Sequence, residues 1–264
     1  MQRSADENPY RFLRIRAAGD RAPGTLELTL DHPPVNVFHL PMIEELSRAI
    51  AQLEDAPPKT LIITSAWPRV FSAGVSVQDH FPESLETMLS SFHQVCRQLF
   101  ELPTTTLALV RGGCLGGAME LVSCCDFIVA ESTAWFRQPE IELGCFAPWA
   151  AAWYPTWLGP FRTNPILHLA EKFDAEKAQS IGLVYRIVPE GQGPDAARRL
   201  ASRLDARSRV AAAALKRSLA SAAGPGAALP RIESIYREQL TSSRDMREGL
   251  TAFVEKRRPR WTDS

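Results

Sequence analysis

The chain predicts an α/β core of largely parallel strands, followed by a helical C-terminal part. Over residues 1–195, strand-sized apolar runs alternate with stripes of helical period. That alternation is the mark of strands joined through crossover helices. Several of the runs are continuously apolar, as expected for strands buried on both faces. Beyond Pro189 the strand patterns stop and helical ones take over. The expected division is a core over 1–195 and a helical region over 196–264, packed on that core or on a neighbouring subunit.

Strands are expected at Thr25–Leu30, Thr60–Thr64, Thr106–Val110, Phe127–Ala130 and Leu183–Val188. Met42, Ile43, Leu46, Ile50 and Leu53 form one helical stripe. Met88, Leu89, Phe92, Val95, Cys96, Leu99 and Phe100 form a longer one, at steps of three and four. Pro103 cannot continue that helix. The Gly-Gln-Gly-Pro cluster at 191–194 breaks the chain. Helices follow over Asp195–Leu204 and Arg209–Ala222, then an interruption at Gly224–Pro230, then one helix from Arg231 to about Lys256.

The composition excludes several classes. With 264 residues, 45% of them hydrophobic, the chain suits one large domain or a domain with an appendage. Zero formal net charge gives no bulk attraction to nucleic acid or to an anionic membrane. No apolar run approaches the roughly 20 residues of a membrane span. The start, MQRSADENPY, lacks the apolar segment of a secretory leader, and a cytoplasmic location is expected. Five cysteines form no C-x-x-C pair, so buried reduced thiols are expected rather than a zinc site.

The chemistry concentrates between Val110 and Glu140. A strand to Val110 leads into a turn over Arg111-Gly112-Gly113-Cys114, and Gly116 and Gly117 open a helix to about Ser123. Free N–H groups at a helix start attract negative charge, and glycine admits a ligand close to the backbone. Glu120 lies three residues after Gly117, on the same helix face. Glu140 follows the next strand, behind Pro139. The loop Phe71-Ser72-Ala73-Gly74-Val75 offers a second exposed backbone. Backbone donors for an oxyanion, with two carboxylates to move protons, make a site for enolate chemistry beside a carbonyl. The plainer alternatives are a tight strand-to-helix turn, a buried salt bridge at Glu120 and a helix-start carboxylate at Glu140.

Other chemistries fit less well. A dinucleotide fingerprint ending at Gly116 needs glycine at 111, where Arg111 stands, and no Walker lysine follows. Ser72, Ser76, Asp79 and His80 are close in sequence, but no G-x-S-x-G elbow exists. The five histidines form no H-x-x-x-H pair for a metal.

These residues resemble the crotonase (enoyl-CoA hydratase/isomerase) superfamily. The resemblance runs from about Pro9 to Trp261 and rests on Phe71-Ser72-Ala73-Gly74, Leu115-Gly116-Gly117-x-x-Glu120, Cys125-Asp126, Gln138-Pro139-Glu140 and the closing DMREGLTAFVEKRRPRW. GVSVQDH and QPEIELGCFAPWAAAWYP are most similar to the cyclohexa-1,5-diene-1-carbonyl-CoA hydratases. The resemblance implies a crotonase-like spiral of ββα units and a C-terminal region that serves as lid or in oligomerisation. It implies homotrimers, alone or paired as hexamers, and an acyl-CoA thioester substrate whose coenzyme A is no separate cofactor. The thioester carbonyl would be held by the N–H groups of Val75 and Gly117, with Glu120 and Glu140 as acid and base. Substrate contacts would come from Ser72, Ala73, Gly74, Ser76, Val77, Gly116 and Phe253.

The chain departs from the family pattern in places. Ser76 stands where Asp is frequent, Gln78 where Lys is common, and Ala118 where a third glycine is frequent. The glycine-rich turn after Gln138-Pro139-Glu140 is replaced by Pro148-Trp149-Ala150-Ala151-Ala152-Trp153. Phe136, Phe146, Trp149 and Trp153 are therefore expected to wall a flat site for a ring, unless they are ordinary core aromatics. Two retained glutamates favour adding or removing water over isomerisation or decarboxylation. A non-catalytic acyl-CoA-binding protein is the rival from another class.

Overall fold

The computed structural model describes residues 8–264. Residues 1–7, most of the segment read above as lacking a leader, lie outside the described residues. Six strands pair in the order β1 (Leu13–Ala17), β2 (Thr25–Leu30), β3 (Thr60–Ser65), β5 (Thr105–Val110), β7 (Phe127–Glu131) and β10 (Arg186–Val188). Only β1 runs antiparallel to its neighbour. A smaller sheet has the order β4 (Val70–Ser72), β6 (Gly113–Leu115), β8 (Trp135–Arg137) and β9 (Phe173–Asp174).

The repeat is visible in the connections. After β3, β5 and β7 the chain crosses to β4, β6 and β8 of the second sheet. Each crossing leads on to a helix: α2 (Leu85–Glu101), α3 (Gly117–Ser123) and α4 (Pro148–Trp157). Each turn of this spiral thus adds one strand to each sheet. Helix α1 (Leu40–Asp55) joins β2 to β3 and packs on α2.

Strand periodicity explains the continuous apolar runs. Leu61, Ile63, Ala108, Val110, Ile128 and Ala130 point into the main core. The alternate residues Ile62, Leu107, Leu109 and Val129 point the other way, onto Ala196, Ala197, Leu200 and Ala201. Those alanines and Leu200 belong to α7 (Gly193–Asp205), which covers the outer face of the large sheet. Position 195, where the core was expected to end, falls inside α7. The remaining helices are α5 (Pro160–His168), α6 (Ala175–Ser180), α8 (Arg209–Ala223), α9 (Leu229–Leu240) and α10 (Arg244–Val254). Buried Lys216 pins α8 to the sheet: its Nζ lies 3.0 Å from Asp126 and donates to Thr104 O and Thr106 Oγ1 at 3.1 Å. Among the described residues, no helix is long and apolar enough to cross a membrane.

The structure corrects three expectations. Gly113-Cys114, expected in a turn, begins the short strand β6. Leu183 and Val184 precede β10, and their N–H groups both donate to Ala178 O at the end of α6. The single helix expected from Arg231 is two. Helix α9 stops at Leu240, and Ser243 Oγ accepts from the N–H groups of Asp245 and Met246 at 3.1 and 3.3 Å, capping α10.

Candidate active site

The loop after β4 and the start of α3 lie against each other. Phe38 forms a parallel bridge with Val75. Phe38 N–H donates to Gly74 O (2.9 Å), and Ser76 N–H to Phe38 O (3.0 Å). A parallel bridge of this kind uses the atoms on either side of Val75, so Val75's own N–H points away from it. Gly117 is the first residue of α3, and the carbonyl of Gly116 takes the first helical bonds, from Met119 (2.7 Å) and Glu120 (3.2 Å). The Gly117 N–H is then one of the free donors of a helix start. Among the described residues, neither N–H has a protein acceptor. A Cβ built on Gly74, whose φ is +86°, would lie 2.6 Å from Leu115 O and 3.2 Å from Gly117 N. The two donors are therefore close neighbours, and only glycine permits the approach. Ser72 holds this loop from behind: its Oγ donates to Asn36 O (2.6 Å) and accepts from Gly74 N–H (3.0 Å).

The two carboxylates are buried beside these donors. Glu120 Oε1 accepts from Ala150 N–H at 3.0 Å, in the first turn of α4. Burial pushes the Glu120 carboxyl up, and His93 and the N–H groups of Ala150 and Trp149 offset only part of that rise. Glu140 opens a 3-10 turn over Glu140–Leu143. Its Oε1 accepts from Gln138 Nε2 (3.2 Å), and Gln138 Oε1 accepts from Tyr154 Oη (3.3 Å). Burial, and then the charge of Glu120, push the Glu140 carboxyl up to about 8. Near neutral pH Glu140 therefore keeps its proton, the form in which it can act as an acid.

A cavity of about 790 Å³ connects these groups. Val75, Gly116, Gly117, Glu120 and Glu140 line it, with Ala73, Val77, Phe146 and the half-exposed Phe253. Ser72, Gly74 and Ser76 support the loop without lining the cavity. Trp149 and Trp153 do not wall the site. They are four residues apart on α4 and share the face turned toward Phe100, at ring distances of 6.0 and 5.3 Å. Trp153 Nε1 is spent on Ser123 O at 3.1 Å. Phe136 stacks on Phe173 inside the fold. The Pro-Trp-Ala segment acts instead through its backbone, as the helix start that caps Glu120.

Sequence reasoning passed over several residues of the site. His93 lines the cavity on α2, and its Nδ1 meets Glu233 Oε1 at 2.7 Å. The one local signal was a histidine on the apolar stripe, between Leu89 and Cys96. Tyr236, one helical turn beyond Glu233 on α9, also lines the cavity. Nothing near either residue in sequence points to the glycine loops. His80, considered for nucleophilic chemistry, bonds through Nδ1 to Ser76 O at 2.8 Å. All five cysteines are buried and free, and burial pushes those of Cys125 and Cys145 up to about 12.

Two buried carboxyls beside paired N–H donors in one cavity can serve as acid and base, protonating one carbon while activating water at another. On this spiral fold such an arrangement suits chemistry that passes through an enolate. Residues 20–264 match the enoyl-CoA hydratase/isomerase family, and the chain belongs to it as an enzyme of hydratase type, a lyase. It is 31% identical over 249 residues to a cyclohexa-1,5-dienecarbonyl-CoA hydratase of Thauera aromatica, covering 92% of this chain and 94% of the relative. It is 31% identical over 235 residues to a crotonyl-CoA hydratase of Syntrophomonas wolfei, covering 85% and 88%. The crystal structure of an enoyl-CoA hydratase from Mycobacterium avium subsp. paratuberculosis superposes with a TM-score of 0.85 at 25% identity, over 97% of this chain and all of that one.

Proposed function

We propose that the chain hydrates a conjugated enoyl- or dienoyl-CoA thioester, with a cyclic dienoyl group as the preferred substrate. The observation that carries this reading is the buried Glu120–Glu140 pair beside the Val75 and Gly117 donors, with the Glu140 carboxyl pushed up to about 8. The thioester oxygen accepts from both N–H groups, and each such donor is worth roughly 3 kcal/mol at the barrier. Glu120 takes a proton from water as the water oxygen bonds to the electrophilic carbon. Electrons move into the held enolate, and Glu140 delivers its proton to the α carbon. The proton on Glu120 then passes back to Glu140, so one water is consumed per turnover. Coenzyme A belongs to the substrate, and the chemistry needs no other cofactor. Arg137, His168, Arg257 and Arg258 around the cavity suit its phosphates. Trimers or paired trimers would cover the exposed Val210, Leu215 and Leu219 of α8.

The ring preference is supported by the Thauera relative and by the apolar walls of Met88, Leu89, Phe92, Leu143 and Phe146. Trp149 and Trp153, turned toward Phe100, do not add to it. A linear enoyl substrate is the second reading, supported by the Syntrophomonas relative at the same identity. Purified protein incubated with cyclohexa-1,5-diene-1-carbonyl-CoA, beside crotonyl-CoA, decides between them by product mass. A gain of one water on the ring thioester alone is expected. A gain on crotonyl-CoA alone assigns a linear hydratase, and no gain on either assigns another reaction of the family.

The Glu140 value sets a pH limb. A carboxyl raised to about 8 delivers its proton only while it stays protonated. The value of kcat/KM should therefore fall as pH rises through about 8, since that profile reports the free enzyme. A rate that stays flat well above that range would show that Glu140 is not the proton donor.

A further inference from the structure

We infer that Tyr236 is a third catalytic residue of this site, whose hydroxyl donates a hydrogen bond to the oxygen added to, or lost from, the acyl group. The inference rests on the hydratase reading above and extends it to a residue on the C-terminal helices.

Tyr236 is 1% exposed, and among the described residues its Oη has no hydrogen-bond partner. Buried hydroxyls are nearly always satisfied, so an exception points to a ligand or a water that completes it. The polar neighbour at hand is the Cys145 thiol, and that group already donates to Glu140 O at 3.4 Å. Its sulfur is only a weak acceptor. The Tyr236 ring stands edge-on to Phe146 at 5.1 Å, and both line the cavity that holds Glu120 and Glu140. Around them the wall is apolar: Leu143, Phe146, Met88 and Leu89 offer no polar side chain.

Position selects the partner. The thioester oxygen is met by the Val75 and Gly117 N–H groups. Tyr236 instead lines the same cavity as both carboxyls, against Phe146. The oxygen that belongs between those carboxyls is the water of hydration, or the hydroxyl of the product. Tyr236 keeps its proton throughout. By donating to one lone pair of the water, it leaves a water O–H for Glu120 and the second lone pair for the carbon.

Tyr236→Phe removes that one oxygen and keeps the ring packing. On whichever of the two thioesters the wild-type chain hydrates, the variant should lose about 10- to 100-fold in kcat, with KM for the unsaturated thioester little changed. The reverse dehydration of the hydroxyacyl thioester should slow equally. The melting temperature should stay level or rise, because an unpartnered buried hydroxyl has gone. A merely structural hydroxyl gives the opposite signs: a lower melting temperature and unchanged kcat, and that result overturns the inference. Glu120→Gln and Glu140→Gln, assayed alongside, separate the two ideas. Dead glutamate variants with a normal Tyr236→Phe sink the inference alone. If the glutamate variants keep the wild-type rate, or if the wild type hydrates neither thioester, the hydratase reading and the inference fall together.

Discussion

Glu120→Gln and Glu140→Gln should each lower kcat/KM by at least about 10²-fold, the usual worth of a positioned acid or base. Glutamine keeps the shape of each side chain. At position 120 its carbonyl can still accept from Ala150 N–H, which Glu120 Oε1 meets at 3.0 Å. At position 140 its amide can still meet Gln138. Both variants also remove a buried ionisable group, so the folded state should lose little stability. The two differ in their pH profiles. Glu140→Gln should erase the fall through about pH 8, because no proton remains there to lose. Steady-state rates across pH, with melting temperatures, check both points. Near-normal turnover in either variant would rule out the two-glutamate mechanism.

Gly74→Ala should be nearly as damaging, for a reason of backbone geometry rather than acid–base chemistry. Gly74 has φ of +86°, where an alanine is strained, and its Cβ would sit 2.6 Å from Leu115 O. Neither backbone can yield without moving Val75 or Gly117, the two proposed carbonyl donors. Misplacing a reacting group by about 1 Å can cost 10²-fold, and a loss of at least that size in kcat is expected here. The melting temperature should fall as well. Gly226→Ala is the matched control, since a Cβ there meets nothing within 4 Å. An unchanged kcat in Gly74→Ala, despite a lower melting temperature, would remove the paired N–H groups from the mechanism.

These predictions draw on features of unequal legibility. The Gly117–Glu120 relation is local: a helix of 3.6 residues per turn puts them on one face wherever the helix lies. The same holds for the stripes of α1 and α2, and for the apolar runs of β3, β5 and β7. The strands β4, β6 and β8 have three residues each, too few for any period to show, so only the family resemblance, with its ββα units, implied them. The break between α9 and α10 turned on one capping serine, Ser243, inside a stretch of helical pattern. Trp149 and Trp153 were legible as a cluster four residues apart, but their direction was not. It depends on how α4 is seated, and α4 is seated by Glu120 at its N-terminus and Phe100 on its outer face.

By itself, the sequence determined the α/β class, the positions of the longer elements and the spacing of two glutamates around glycine loops. Those follow from local periodicity and residue chemistry. Only the tertiary structure decided which glutamate keeps a proton, which aromatic ring meets the cavity, and that His93 and Tyr236 belong to the site. His93 and Glu233 lie 140 residues apart in sequence and 2.7 Å apart in the fold. Desolvation and Coulomb interactions act through space, so the protonation of Glu120 and Glu140 is set by neighbours that only folding assembles.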